Sequence, residues 1–267
     1  MGFLQQLTGA NFQFGKIIRR DPRLSAGSIL LLDTQRIPAG VPASGALFEN
    51  TAWEEAAALI GSGNASTLSF GFVHTNTNAE IVFERTARGA LHGVASRTAQ
   101  GGGFSYISAA SAVEAYLAAN PSHEYWMWLW AYVTRTSASG DAMIRDWEVG
   151  NIEQLGAKNL FDGGFSDIIG AKRVGLRKVG WTGTPSGTAS NNVANIAWGN
   201  TTSYNPFKPN DGRSYVLESW SIIDGTVDGR TFAQADADDA TLYASMHASG
   251  GRLYGDTWTA PASLIAA

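Results

Sequence analysis

His123-Glu124-Tyr125-Trp126-Met127-Trp128-Leu129-Trp130-Ala131-Tyr132-Val133 is the stretch that decides the fold. In an extended chain successive side chains point to opposite faces. Tyr125, Met127, Leu129, Ala131 and Val133 therefore share one face, and Trp126, Trp128, Trp130 and Tyr132 share the other. A strand that is apolar on both faces has to be covered on both, so it belongs in the middle of a layered β protein. Two readings fit the aromatic face. It is core or subunit interface, or it is a stacking platform whose flat rings suit the apolar C–H faces of sugars. Four large aromatics exceed what a soluble monomer normally exposes. Core or interface is therefore favoured over ligand binding at Trp126, Trp128, Trp130 and Tyr132.

Outward from this strand the same rhythm continues. Short apolar or alternating runs at 28–33, 67–73, 78–85, 103–107, 171–179, 193–198, 213–223 and 251–254 are each bounded by turn residues, which predicts strands. The turn clusters include Gly101-Gly102-Gly103, Gly163-Gly164, Pro185-Ser186-Gly187 and Pro209-Asn210-Asp211-Gly212. Three helices interrupt the strands. One runs over 50–60 with Asn50 or Thr51 as cap, and one runs from Ser108 or Ser111 to Asn120-Pro121. The third spans 231–249, opened by Thr231 with Gln234 three residues on and closed by Gly250-Gly251. In that helix Asp236, Asp238 and Asp239 load the first half, where the helix dipole favours anions. Many short strands with a few peripheral helices predict an all-β sandwich or jelly roll. Residues 1–26, polar and glycine-punctuated, read as an N-terminal arm, and 27–267 as one domain.

Composition narrows the function. Only 16% of the 267 residues are charged, against about 25% in typical globular chains. The bare surface predicts self-association, with a homotrimer expected. A net charge of −4 gives no footprint for nucleic acid. No apolar run approaches the ~20 residues of a spanning helix, and residues 1–15 lack the basic start of a signal peptide. The absence of cysteine excludes disulfides, thiolate metal sites and cysteine nucleophiles.

The sequence carries few residues in catalytic or metal-binding patterns. His74, His92, His123 and His247 show no metal-ligand spacing, so no metal or other cofactor is expected. A lectin-type Ca2+ site using loop carboxylates such as Asp141 or Asp146 is the one alternative. Glu80 and Glu84 share a strand face but lie about 13 Å apart, beyond the range of a glycosidase pair unless Glu124 or Glu218 joins them across strands. Nucleophile-elbow and phosphate-loop motifs are absent. No catalytic residue is assigned, and the chain is expected not to be an enzyme.

Asp228-Gly229-Arg230-Thr231-Phe232-Ala233-Gln234-Ala235-Asp236-Ala237-Asp238, then Leu242-Tyr243, then Gly250-Gly251-Arg252-Leu253-Tyr254-Gly255-Asp256-Thr257-Trp258-Thr259 resembles a signature in virion proteins of tailed bacteriophages. Phe83-Glu84-Arg85-Thr86 with Leu91-His92, and the aromatic strand after Ser122-His123, are similar too. The resemblance covers about 65–260 and leaves residues 1–60 outside it. It implies a concanavalin-A-like (laminin-G-type) jelly roll. It also implies a structural part of the virion, assembled in the host cytoplasm and associated with the tail tip, baseplate or fibre. Partners would be copies of the chain, other virion proteins and host cell-surface polysaccharide. A head decoration protein, or a glycan-degrading enzyme on the same fold, is the alternative.

Overall fold

The computed structural model describes residues 21–99, 103–138, 145–151, 158–180, 192–199, 210 and 212–265. Twelve strands lie within them: β1 (Ser28–Asp33), β2 (Leu47–Phe48), β3 (Phe70–His74), β4 (Ile81–Arg85), β5 (Leu91–Ala95), β6 (Ser105–Ser108), β7 (Glu124–Arg135), β8 (Trp147–Asn151), β9 (Lys158–Gly163), β10 (Gly170–Val179), β11 (Asn192–Ala197) and β12 (Ser214–Asp224). They form two six-stranded sheets, and every pairing is antiparallel. The first sheet runs β10-β7-β12-β5-β4, with β1 also pairing with β12. The second runs β2-β3-β6-β11-β8-β9. This is the all-β arrangement the strand rhythm predicts. Among the described residues no helix is long and apolar enough to cross a membrane.

Aromatic rings join the sheets across the core. Phe70 meets Trp220 at 5.7 Å, Phe83 meets Trp198 edge-on at 4.9 Å, and Trp198 stacks on Tyr215 at 4.8 Å. Such offset and edge contacts each add about 0.5–1.5 kcal/mol beyond the area they bury. The inward face of β7 supplies Tyr125, Met127, Leu129, Ala131 and Val133, as its period-two pattern requires.

A bulge sets the inward face of β12. Leu217 pairs with Ala131 and Ser219 with Trp130, so Glu218 is an extra residue opposite the bond between them. Inward positions change parity there, from Tyr215 and Leu217 before the bulge to Trp220 and Ile222 after it. Without the bulge, either Leu217 or Trp220 would point out of the core.

The helices are α1 (Trp53–Ile60), α2 (Ser111–Ala119), α3 (Gly225–Asp228), α4 (Phe232–His247) and α5 (Pro261–Leu264). The capping box at α4 forms as expected, with the Thr231 hydroxyl accepting from Gln234 N–H while the Gln234 side chain accepts from Thr231 N–H. The cap expected for the first helix does not. Ala52 occupies the cap position of α1 without a side-chain bond. Asn50 instead serves the free edge of β1: its Oδ1 accepts from Leu31 N and Ala52 N, and its Nδ2 donates to Ile29 O. The buried amide thus stands in for a missing neighbour strand.

Other differences have equally local causes. Residues 251–254 are a turn rather than a strand. The Gly251 and Leu253 N–H groups close onto carbonyls of Ala248 and Met246 at the end of α4, leaving no ladder to form. Strands β2, β5, β8 and β9 carry no clear signal, being short or interrupted by glycine. The described part of the arm, 21–26, lies on the first sheet. Arg23 is only 8% exposed and donates to Ser219 Oγ at 2.6 Å. The rest of the arm, the turn at Gly101-Gly102, the cluster at Pro185-Ser186-Gly187 and Asp141 lie outside the described residues.

Gly93 on β5 leaves room for the core. A Cβ there would stand 2.8 Å from the Phe83 ring and closer still to the Trp198 indole. Gly93→Ala is expected to cost about 1–3 kcal/mol through overpacking. Chemical denaturation checks this, and a change below about 0.5 kcal/mol would mean that the two rings do not meet over β5.

Candidate functional site: the tryptophan face beneath the long helix

The outward face of β7 is the most unusual surface in the fold. Trp126, Trp128 and Trp130 are each at most 3% exposed, while Tyr132 is half-buried. What covers them is α4, residues 21–23 and the C-terminal loop. Phe232 stacks on Trp128 at 5.9 Å, Tyr243 meets Trp130 edge-on at 5.4 Å, and Trp258 lies 4.7 Å from Tyr132. The Arg23 guanidinium sits 4.9 Å over the Trp130 ring in a cation–π contact. A stacking platform on these rings would require α4 to lift away.

Each indole N–H on this face donates to a carboxylate. Trp126 donates to Glu124 at 2.5 Å, Trp128 to Asp236 at 2.9 Å and Trp130 to Asp239 at 3.1 Å. Asp236 and Asp239, three residues apart, lie on one side of α4. Arg173 of β10 reaches both, with Nε 2.6 Å from Asp239 and Nη2 2.5 Å from Asp236. Burial acts to raise the Asp236 carboxyl, but Trp128 and Arg173 outweigh it and hold it below the ordinary carboxylate value. Asp239 is more deeply buried, and there desolvation prevails over the same kinds of partner and raises it. Gly175 allows β10 to pass under this network, because a Cβ there would stand 2.7 Å from Asp236 Oδ1. The acidic run of the helix therefore serves the sheet. None of its members lies in the first turn, where the dipole would act on them, and only Asp238 faces solvent.

A second set of bonds ties the C-terminal loop to the opposite end of the same face. Asp256 accepts from Thr86 Oγ1 at 2.6 Å and Arg88 N at 2.8 Å. Glu84 accepts from Thr259 Oγ1 at 2.7 Å and from His92 Nδ1 at 2.7 Å. Arg252 reaches the buried Asp33 at 2.7 Å. Arg230 pairs with Asp228 at 2.6 Å, and Asp228 also accepts from Ser25.

The remaining candidates are dispersed. Glu80 binds Thr77, Glu84 binds His92, Glu124 binds Arg177 and Glu218 binds His247. No two of these four carboxylates share a partner through which they could act together. His74 bonds Ser105, and His123 bonds Asp224, which also accepts from Tyr116. Asp146 is fully buried against Arg213 at 2.9 Å, and desolvation outweighs that partner to push its carboxyl up to about 6. Among the described residues no group of three or more histidines and carboxylates is placed to hold a metal ion.

One space in this region is open. A cavity of about 440 Å³ lies between α4, residues 22–23 and the outward side of β12. Trp128, Ile223, Ala235 and Leu242 give it apolar walls, and Arg23, Arg230, Asp238, Asp239 and Ser221 give it polar ones. Nothing in the sequence around Arg23 or Arg173 marks either as part of this face. The Asp236/Asp239 spacing was the available signal, since two acids on the inner side of a helix demand a buried cation.

Comparison of the chain with known protein families, with curated proteins and with solved structures finds no match.

Trp130→Ala removes a buried ring and one of the two donors to Asp239 Oδ2, so it is expected to cost about 3–5 kcal/mol. Thermal unfolding reads this directly, and a loss within about 1 kcal/mol would show that the helix does not seal the face. The histidines make a second test. His247 Nδ1 donates to the Tyr243 carbonyl and Nε2 to Glu218, so both nitrogens need their protons. The bond to Glu218, opposed by partial burial, holds its pKa above the ordinary 6.5. A raised value means stability that is fully present below the unfolded pKa and lost as pH rises through the folded one. The difference in melting temperature between the native chain and His247→Gln should therefore be larger near about pH 5 than near about pH 8. A difference that grows with pH would place a neutral imidazole there. Buried His92 has the opposite sign, since desolvation lowers its pKa despite Glu84.

Proposed function

We propose that this chain is a structural module of a tailed-bacteriophage virion, of tail-tip, baseplate or fibre type, that contacts host-surface glycan. One observation carries the reading. The separated segments that resemble the virion family meet on one face of the first sheet. Asp256 bonds Thr86, Thr259 bonds Glu84, Trp258 lies against Tyr132, and Asp236 and Asp239 of α4 hold the tryptophans. Residues used in this way fasten a helix and a loop to a sheet, which is the work of a scaffold. Two six-stranded antiparallel sheets accord with the concanavalin-A-like jelly roll that the resemblance implies.

Self-association belongs to the same proposal. Val41, Leu47, Ile168, Ile169 and Val179 are each more than half exposed, on a chain with only 16% charged residues. A closed symmetric assembly would bury the same exposed residues on every copy, and a trimer is the expected state. Two measurements test the proposal. Immunogold labelling of an epitope-tagged chain should mark one end of the purified particle, and light scattering should give three times the mass of one chain. A chain absent from purified particles would overturn the virion assignment, and a monomer at micromolar concentration would overturn the assembly.

A further inference from the structure

Among the cavities and side-chain clusters of the molecule, the 440 Å³ groove beneath α4 has features that no fastening role uses. Ser221, 6% exposed on β12, has a hydroxyl with no partner among the described residues. Asp239, 5% exposed, gives Oδ2 to Trp130 and Arg173 but leaves Oδ1 without a partner among them. Neither oxygen is sealed off from the groove, so each can bond water until a ligand takes its place. Both side chains line the groove, and both remain free to bond a ligand there. Donors are present as well. Arg23 commits three bonds, to Asp21 and Ser219, of the five that a guanidinium can donate. Arg230 Nη1 holds Asp238 only at 3.4 Å.

The chemistry of the occupant follows from the balance of these groups. Two arginines face two aspartates, so a ligand carrying one net charge gains from one pair and is repelled by the other. A purely apolar ligand would fit Ile223, Ala235 and Leu242 but would leave Ser221 and Asp239 Oδ1 dry and unbonded. A neutral ring bearing several hydroxyls meets every requirement. Its hydroxyls donate to Asp239 and accept from Arg23 and Ser221, while its C–H face lies on the apolar wall. The volume falls in the range of small-ligand sites, about 300–1,000 Å³.

We infer that this groove binds a neutral sugar, one or two residues of a polysaccharide. The inference rests on the host-glycan part of the proposed function and gives that contact a place. The site differs from an aromatic platform, since α4 buries the tryptophan faces and Trp128 contributes only to one wall.

Saturation-transfer NMR and calorimetry on the full chain test it, with glucose, galactose, N-acetylglucosamine and their β-linked disaccharides as probes. At least one neutral sugar should bind. Leu242→Trp, which fills the groove from α4, should abolish binding. Ser221→Ala, which deletes one hydroxyl and serves where the bulky variant unfolds, should weaken it about tenfold. Three results overturn the inference: no sugar binds, binding is undiminished in the folded variants, or acetate or methylguanidinium binds the groove in preference to sugar. The virion reading is tested separately by particle incorporation. A Leu242→Trp chain that enters particles but binds no sugar supports the groove assignment. A native chain that enters particles but binds no sugar sinks the groove assignment and the glycan contact, and leaves the virion assignment standing.

Discussion

The constraint on which the rest of the structure depends is that β7 is apolar on both faces. Its inward side chains are met by the second sheet, which is the ordinary solution for a sandwich. Its outward side chains are tryptophans, each of which brings an N–H as well as a ring. A purely apolar cover would bury the ring and strand the N–H at a cost of about 1–3 kcal/mol. The cover that forms is a helix with low amphipathic character whose inner side carries two aspartates. Those aspartates cannot be buried without a cation, and Arg173 on the neighbouring β10 supplies it. Tryptophan on one strand thus requires acid on the helix, which in turn requires arginine on the next strand.

The bulge at Glu218 belongs to the same chain of requirements. It lets β12 keep inward residues on both sides of a parity change, and it places the Glu218 carboxylate and the Ser219 hydroxyl on the outward face. Glu218 then meets His247 at the end of α4, and Ser219 meets Arg23 from the N-terminal turn. One inserted residue in the strand therefore fixes where two covering segments attach. The order of events in sequence is reversed in space: residues 21–26 and the C-terminal third, far apart along the chain, dock side by side.

Much of this was legible in sequence where local physics decides the outcome. The strand at β1, the two faces of β7 and the capping box at Thr231 each follow from the period or spacing of a few neighbouring residues. Elements fixed by distant partners were not legible. β5 contains His92 and Gly93, which look like interruptions until Glu84, Thr134 and the Trp198 ring are placed beside them. Asn50 has the composition of a helix cap, yet the unpaired edge of β1 lies within its reach and claims it. The aspartates of α4 lie beyond the first turn, which weakens a dipole argument, and the position of Arg173 shows the ion pair they form instead. Of the candidate site, the face was legible and its polar wiring was not.

The way charge is spent inside the fold bears on how the molecule meets its surroundings. Arg23, Asp33, Glu55, Arg135, Asp146, Glu148, Arg213, Glu218, Asp224 and Asp239 are all buried, in a chain with 19 basic and 23 acidic residues. Among the described residues these ten charges, from an already small set, are therefore withdrawn from solvent. The surface left behind is barer than composition alone implies, and it carries aliphatic residues such as Ile168, Ile169 and Val179 in the open. Isolated buried ion pairs add little net stability, because desolvation offsets most of their attraction. What they do supply is geometry, since a guanidinium or a carboxylate accepts only certain partners in certain directions. Directional bonds of this kind fix the register of helix, N-terminal turn and sheet, and a fixed register is what the proposed packing against identical copies would require.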